Sequence, residues 1–213
     1  LIGNTGAAPS WSALSGLAVT SLSFGTTGLT PSIGSQGSIT VAGTLVAANG
    51  GTGQSSYTVG DTLYASGATA LSKLAVGSSG QIMTVSGGTP SWQSQALSIT
   101  YVIDGGGATI NTGIVGDIEI PFECAIQQWT LLADQSGSIV VDVWKDTYAN
   151  YPPTVADSIT ASAKPTISAA TKGQSSTLTG WITTIAAGDT LRFNVDSATS
   201  ITRVTLSLKV VRT

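Results

Sequence analysis

The chain has 213 residues, a net charge of −3, 26 glycines, no histidine and one cysteine. That inventory excludes a Ser-His-Asp or Cys-His catalytic device, a Cys/His zinc site and any intrachain disulfide. No basic run offers an electrostatic footprint for nucleic acid, and no apolar segment approaches the ~18 residues of a membrane helix.

The charges are unevenly placed. The first sixty residues carry no Asp, Glu, Lys or Arg, and the first 103 carry only Asp61 and Lys73. Glycine runs the opposite way, with 20 of the 26 at or before Gly107. The chain therefore divides into a Gly/Ser/Thr-rich fibrous β region, residues 1–97, and an ordinary β domain, residues 98–213.

The chain opens on Leu1 with no charged n-region before an apolar stretch, which shows no signal peptide and suggests a processed product or a fragment. Thr5-Gly6-Ala7-Ala8-Pro9-Ser10-Trp11 returns as Ser86-Gly87-Gly88-Thr89-Pro90-Ser91-Trp92, an offset of 92 − 11 = 81 residues, and Leu1-Ile2 matches Ile82-Met83. A repeat at fixed spacing signals stacked units. A chain that opens late in a repeat is expected to have further sequence upstream.

Within the repeat, Ser38–Val41 and Thr44–Val46 read as strands because β-branched residues stand between glycines. Gly50-Gly51-Thr52-Gly53 reads as a turn or loop, and Gly60–Tyr64 as a turn entering a strand. Thr69–Leu74 and Gln81–Val85 read as short strands. Glycine in nearly every window argues against helix, at about 1 kcal/mol each. Strands this thin bury little apolar surface alone, and almost no charge solvates them. The expectation is an intertwined parallel homotrimer. The alternative is a flexible Gly/Ser linker, against which the many Leu, Val, Ile and Trp residues argue.

From about Leu97 the pattern becomes regularly alternating. Ile118, Ile120 and Phe122 share one face, with Glu119 and Pro121 on the other. Cys124 follows as a small buried hydrophobe. Ile139–Trp144 alternates around Asp142. In 189–196, Leu191, Phe193 and Val195 point in, while Arg192, Asn194 and Asp196 point out. In 201–212, Val204, Leu206, Leu208 and Val210 point in, while Arg203, Ser207 and Lys209 point out. Turns are expected at Asp104–Gly107, Asp134–Gly137 and Ala187–Asp189. Trp129 and Trp181 read as core. The fold class is all-β, with a C-terminal antiparallel sandwich of jelly-roll type.

Ala48-Asn49-Gly50-Gly51-Thr52-Gly53-Gln54, Gly60-Asp61-Thr62-Leu63-Tyr64-Ala65-Ser66, Ala70-Leu71-Ser72-Lys73-Leu74 and Gly88-Thr89-Pro90-Ser91-Trp92 occur in that order. Over roughly residues 45–95, and again at 1–11, the sequence resembles bacteriophage tail-fibre-type proteins, whose shafts repeat modules of this kind. Gly116–Phe122 and Trp144–Pro153 look like a domain found at the distal end of phage structural proteins. The resemblance implies a trimeric, extracellular virion appendage that recognises a bacterial surface polysaccharide or lipopolysaccharide. It also implies attachment to other tail proteins through a missing N-terminal part.

The candidate ligand-binding loop runs from Trp144 to Asp157. It offers Trp144, Tyr148 and Tyr151 as faces for sugar rings, and Lys145, Asp146 and Asn150 as hydrogen-bonding partners. Pro152-Pro153 reads as a stiff, polyproline-like segment. The competing role for these aromatics is to cap the sandwich or fill a subunit interface. Hydrolysis of a glycan needs two carboxylates about 5–5.5 Å or 6.5–9.5 Å apart. Glu119 and Glu123 on one strand face would stand roughly 13 Å apart, and Asp142 with Asp146 likewise. The expectation is binding without catalysis, with no metal and no cofactor. The second reading is a purely structural virion component: a shaft, head fibre or decoration segment.

Overall fold

A computed structural model describes residues 21–213. The first copy of the repeat, including Trp11, lies outside the described residues. The chain forms two compact units, each treated by itself. One contains the described residues up to Val76 together with Val85–Ser91, and the other contains Gly77–Thr84 and Trp92–Thr213.

The first unit is built from very short pieces. β1 (Leu29–Thr30) pairs antiparallel with β2 (Ala42–Gly43). A 3-10 turn follows at Ala47–Asn49. β3 (Thr62–Gly67) and β4 (Ala70–Leu74) form a hairpin. β5 (Gln81–Ser86) and β6 (Thr89–Ser94) form another two-stranded sheet, of which only Val85, Ser86 and residues 89–91 belong to this unit. The expected strands at Ser38–Val41 and Thr44–Val46 are not formed, and only Ala42–Gly43 between them pairs. β-Branched residues alone do not make a strand when no neighbour completes the ladder. The glycines permit close backbone approach instead: a Cβ on Gly43 would collide with the Gly28 carbonyl, and one on Gly28 with the Thr44 carbonyl.

No described residue of this unit enters the buried core. Ile33, Val41, Val59 and Val85 are exposed, Val59 at 95 %. The unit is held by turn and hairpin hydrogen bonds such as Val46 N–H to the Thr27 carbonyl (2.8 Å) and Leu22 N–H to the Ser35 carbonyl (3.0 Å).

The second unit is an antiparallel β domain. β7 (Ala96–Asp104) pairs with β13 (Arg203–Arg212). β13 lies against the first half of β9 (Cys124–Thr147), and β12 (Asp189–Thr199) against its second half. β8 (Gly113–Ile120) pairs with the far side of β12. β10 (Thr166–Ser175) runs along the other edge of β9, and β11 (Thr184–Ile185) pairs with Cys124 and Ala125. The sheet thus forks at β9 into two leaves that curl over one core, consistent with a β-sandwich.

The fork corrects one expectation. Asp134–Gly137 is not a turn; β9 continues through it. β9 pairs with β13 up to Ala133 and with β12 from Ser138, so these residues bridge the change of partner. Their polar side chains satisfy the neighbouring connection. Asp134 accepts from the backbone N–H of Thr202 (3.2 Å) and Arg203 (3.1 Å), and Gln135 donates to the Ser200 carbonyl.

The core follows the alternation read from the sequence. Leu191, Phe193 and Val195 on β12 and Val204, Leu206, Leu208 and Val210 on β13 are buried together with Leu131, Ile139, Val141 and Val143 of β9. Burying each side chain of this size contributes about 1.5–3 kcal/mol. Trp129, Trp181 and Cys124 are buried as expected. Burial first, and the nearby Asp189 charge second, push the Cys124 thiol above its ordinary value. No helix among the described residues is long and apolar enough to cross a membrane.

Candidate functional site

Successive residues of a strand point to opposite faces, so the pleat decides which residues of the Trp144–Asp157 loop can act together. On the outer face, Asp117, Arg192 and Trp144 stand in one cross-strand row over β8, β12 and β9. Glu119, Thr190 and Asp146 form the next row. Lys145 has the opposite parity, and its ammonium pairs with Asp189 at 2.9 Å.

Residues 148–165 fold over this outer face. Ile159 N–H donates to the Val143 carbonyl (2.9 Å), Val141 N–H to the Pro165 carbonyl (3.0 Å), and Trp144 bridges to Ser158. Thr154 and Asp157 form a capping box around a 3-10 turn at Val155–Asp157. The Tyr151–Pro152 peptide is cis, not part of an extended polyproline-like run.

Beneath this cover Asp142 is 1 % exposed. Its alternation with valines suggested an outward carboxylate, but the loop encloses it and supplies its partners. Thr160 and Ser158 donate hydroxyls at 2.6 and 2.7 Å, and Lys164 pairs with it at 2.9 Å. Lys164 also reaches Asp196 at 2.6 Å. Burial alone would raise the Asp142 carboxyl. The donors Thr160, Lys164 and Ser158 outweigh it and hold the group below the usual carboxylate range. The Trp144 indole N–H is buried without a geometrically formed hydrogen bond.

At the edge of the loop an open cleft of about 430 Å³ is lined by Asp117, Ile118, Glu119, Tyr148, Tyr151 and Thr190. Tyr148 is 79 % exposed and Tyr151 is 49 % exposed. Tyr148 opens a 3-10 turn, Tyr148–Asn150, directly after β9 ends. Tyr151 is fixed from below. Its hydroxyl donates to Asp117 Oδ2 (3.0 Å), and the Arg192 guanidinium lies 5.4 Å from its ring centroid. Arg192 grips Asp117 through Nε to Oδ1 (2.6 Å) and Nη2 to Oδ2 (3.0 Å), and Nη1 donates to the Pro153 carbonyl (3.2 Å). The Arg192 hydrogen bonds, aided by Tyr151 and opposed by burial, hold the Asp117 carboxyl below its ordinary value.

The sequence-derived set therefore divides. Tyr148 and Tyr151 line the cleft. Asp146 stands in the row beside Thr190 and accepts from Asn150 Nδ2 (3.1 Å) and the Thr147 N–H (2.7 Å), so Asp146 and Asn150 shape the turn that carries Tyr148. Trp144 is buried under the loop, and Lys145 faces the other way. Asp117, Glu119 and Thr190 line the cleft and Arg192 braces Asp117 and Tyr151; none was among the expected ligand-binding residues, because they come from β8 and β12, far off in sequence. The alternation that set Glu119 opposite Ile118 and Ile120 was the available signal.

No protein-family model matches this chain, and no curated protein matches it. Among solved structures, one of infectious bursal disease virus, Gx strain, aligns over 68 % of this chain and 46 % of that chain. The identity is 14 % and the TM-score 0.18, and a likeness at that level carries no argument. The chain thus spans less than half the length of that neighbour. The chemistry of the cleft stands on its own residues: two accessible phenol rings, a free carboxylate at Glu119, a hydroxyl at Thr190 and a braced ion pair. Among the described residues no group of three or more metal-ligating side chains comes together.

Proposed function

We propose that the chain is part of a bacteriophage tail fibre that attaches to a bacterial surface glycan without cleaving it. In this reading the glycine-rich region is a homotrimeric shaft, and the C-terminal β domain carries the binding site. The observation that carries the reading is the cleft, where Tyr148 and Tyr151 remain exposed above a braced strand face. Sugar rings offer apolar C–H faces to aromatic rings and hydroxyls to groups such as Glu119 and Thr190. The ordered shaft-like motifs of residues 45–95 support the virion setting. The exposed Ile33, Val59 and Val85 support assembly, since sister chains would cover them. Binding without hydrolysis is favoured because both oxygens of Asp117 are engaged by Arg192, and Asp146, across Thr190 from Glu119, is tied into its turn by Asn150 and the Thr147 N–H.

The test is adsorption to host cells by the purified protein and by a Tyr148→Ala/Tyr151→Ala variant, with sedimentation of both. Loss of adsorption with an intact trimer supports the reading. A variant that dissociates assigns these rings to a subunit interface. A structural virion component is the second reading. It is favoured by the outer face of β7, β13 and β9, where Val102 and Leu132 are exposed in one row with Thr205 between them.

A further inference from the structure

An arginine beside exposed tyrosines invites reading as a receptor for an acidic sugar. The geometry here points the other way. Every guanidinium nitrogen of Arg192 is already engaged: Nε and Nη2 by Asp117, Nη1 by the Pro153 carbonyl. Its charge is matched by Asp117 at 2.6 Å, and its face is turned toward the Tyr151 ring. Lys145, the nearest lysine in sequence, sits on the opposite strand face against Asp189. What remains around the cleft is negative: Glu119 is exposed on its wall, and Asp146 stands two strands across in the same row, with Thr190 between them.

We infer that the cleft selects a glycan that bears no negative charge, and that Arg192 is a positioning residue for Tyr151, not an anion receptor. The inference rests on the glycan-binding reading above and names its ligand class. Asp117 does two things in this arrangement. It neutralises Arg192, and it accepts the Tyr151 hydroxyl, so the ring is set in place before a ligand arrives. Pre-set aromatic platforms lose less freedom on binding. An acidic sugar entering the same cleft would meet Glu119 with no cation free to answer it. A like charge at about 4 Å in water costs roughly five-fold in affinity, and more as water is displaced.

The experiment is an array of immobilised oligosaccharides in three classes: neutral hexose, N-acetylhexosamine and hexuronate. It is probed with the labelled full chain and with two variants. For the unaltered chain, binding confined to the first two classes is expected; equal or tighter binding to hexuronates overturns the inference. Asp117→Asn releases the positive charge of Arg192 and the anchor of Tyr151. It should gain hexuronate binding at least five-fold and lose neutral binding. A variant that remains neutral-selective shows that Arg192 was not a silenced anion receptor, and the inference fails. Glu119→Lys alters an exposed side chain and leaves the Arg192 pair alone. It should bring at least a five-fold gain in hexuronate binding, whatever neutral binding goes with the lost Glu119 acceptor, and misfolding cannot imitate a gain; the absence of that gain counts against the charge filter. Failure of the unaltered chain to bind any class, beside undiminished adsorption to cells, removes the glycan reading itself.

Discussion

Asp61 and Lys73, the only charged residues before Asp104, pair with each other: Lys73 Nζ lies 3.2 Å from Asp61 Oδ2. The same ammonium donates to the Ser56 carbonyl (2.9 Å) and sits 5.6 Å from the Tyr57 ring centroid. The Thr58 N–H first, and Lys73 second, hold the Asp61 carboxyl below its usual range. The two charges cancel within the hairpin of β3 and β4, so the first unit has no ionic group left over for contacts between chains. In the proposed trimer, contacts through this region would be apolar and hydrogen-bonded. The oligomer is therefore expected to persist when salt is raised from about 0.05 to about 1 M, over which screening lengths shrink several-fold. Sedimentation across that range checks it; dissociation at high salt would mean ionic contacts hold the copies together.

The exposed valines give a sharper test. Val59 and Val85 lie on the first unit with most of their surface open. On a monomer, Asp at either position should be nearly neutral, within about 0.5 kcal/mol. In an assembly that covers them, each Asp places an unpaired charge in an apolar contact. Val59→Asp is expected to drive the protein toward single copies while near-ultraviolet dichroism of the C-terminal domain is unchanged. An oligomer that survives both substitutions would show that these side chains stay in water.

Across the sandwich, Tyr101 of β7 stacks on Phe193 of β12 with ring centroids 4.4 Å apart, and its hydroxyl donates to the Val115 carbonyl at 2.7 Å. That hydroxyl occupies the space where a side chain at position 116 would begin. Gly116→Ala should therefore cost about 1–3 kcal/mol by overpacking, in addition to the backbone strain of a side chain at a φ of +155°. Tyr101→Phe should cost about 1 kcal/mol for the lost hydrogen bond and the orphaned carbonyl. The double variant should be more stable than the sum of the two losses predicts, because the colliding oxygen is gone. Additive losses in urea titrations would mean the two positions are uncoupled.

Much of the domain could be read from its alternation. Leu191, Phe193 and Val195 or Val204, Leu206, Leu208 and Val210 need only period two and a buried face. Two features could not be read that way. Asp134-Gln135-Ser136-Gly137 has turn chemistry, yet it runs as strand because Asp134 and Gln135 serve the connection between β12 and β13. That connection is more than sixty residues away. The cleft was half legible for the same reason. Tyr148 and Tyr151 are local to one loop, but Asp117 and Arg192 reach Tyr151 only through the pairing of β8 with β12. In the glycine-rich region, residue types marked strands at 38–46 that the single chain gives no partner to complete.

Asp142 is expected to contribute to how the domain responds to acid. An unfolded Asp carboxyl titrates near 3.9. In the folded chain burial would raise it, but Thr160, Lys164 and Ser158 bring it lower. Above about pH 4 the carboxylate is ionised in both states, and its preference for the folded environment contributes in full. As pH falls below about 4 the unfolded chain takes up the proton first. That contribution then drains away until the pH has passed the folded value, where both states are protonated. Asp117, also held low, adds to the same loss. Since Asp142 holds down Ser158, Thr160 and Lys164, the cover over Trp144 should loosen first, seen as a change in tryptophan emission ahead of global unfolding. Asp142→Asn should cost about 1–3 kcal/mol at neutral pH and flatten the fall in stability below pH 4 without abolishing it, because Asp117, Asp134 and Asp157, also held low, still titrate. An unchanged acid limb in urea titrations of that variant would mean the buried carboxylate does not set the acid response.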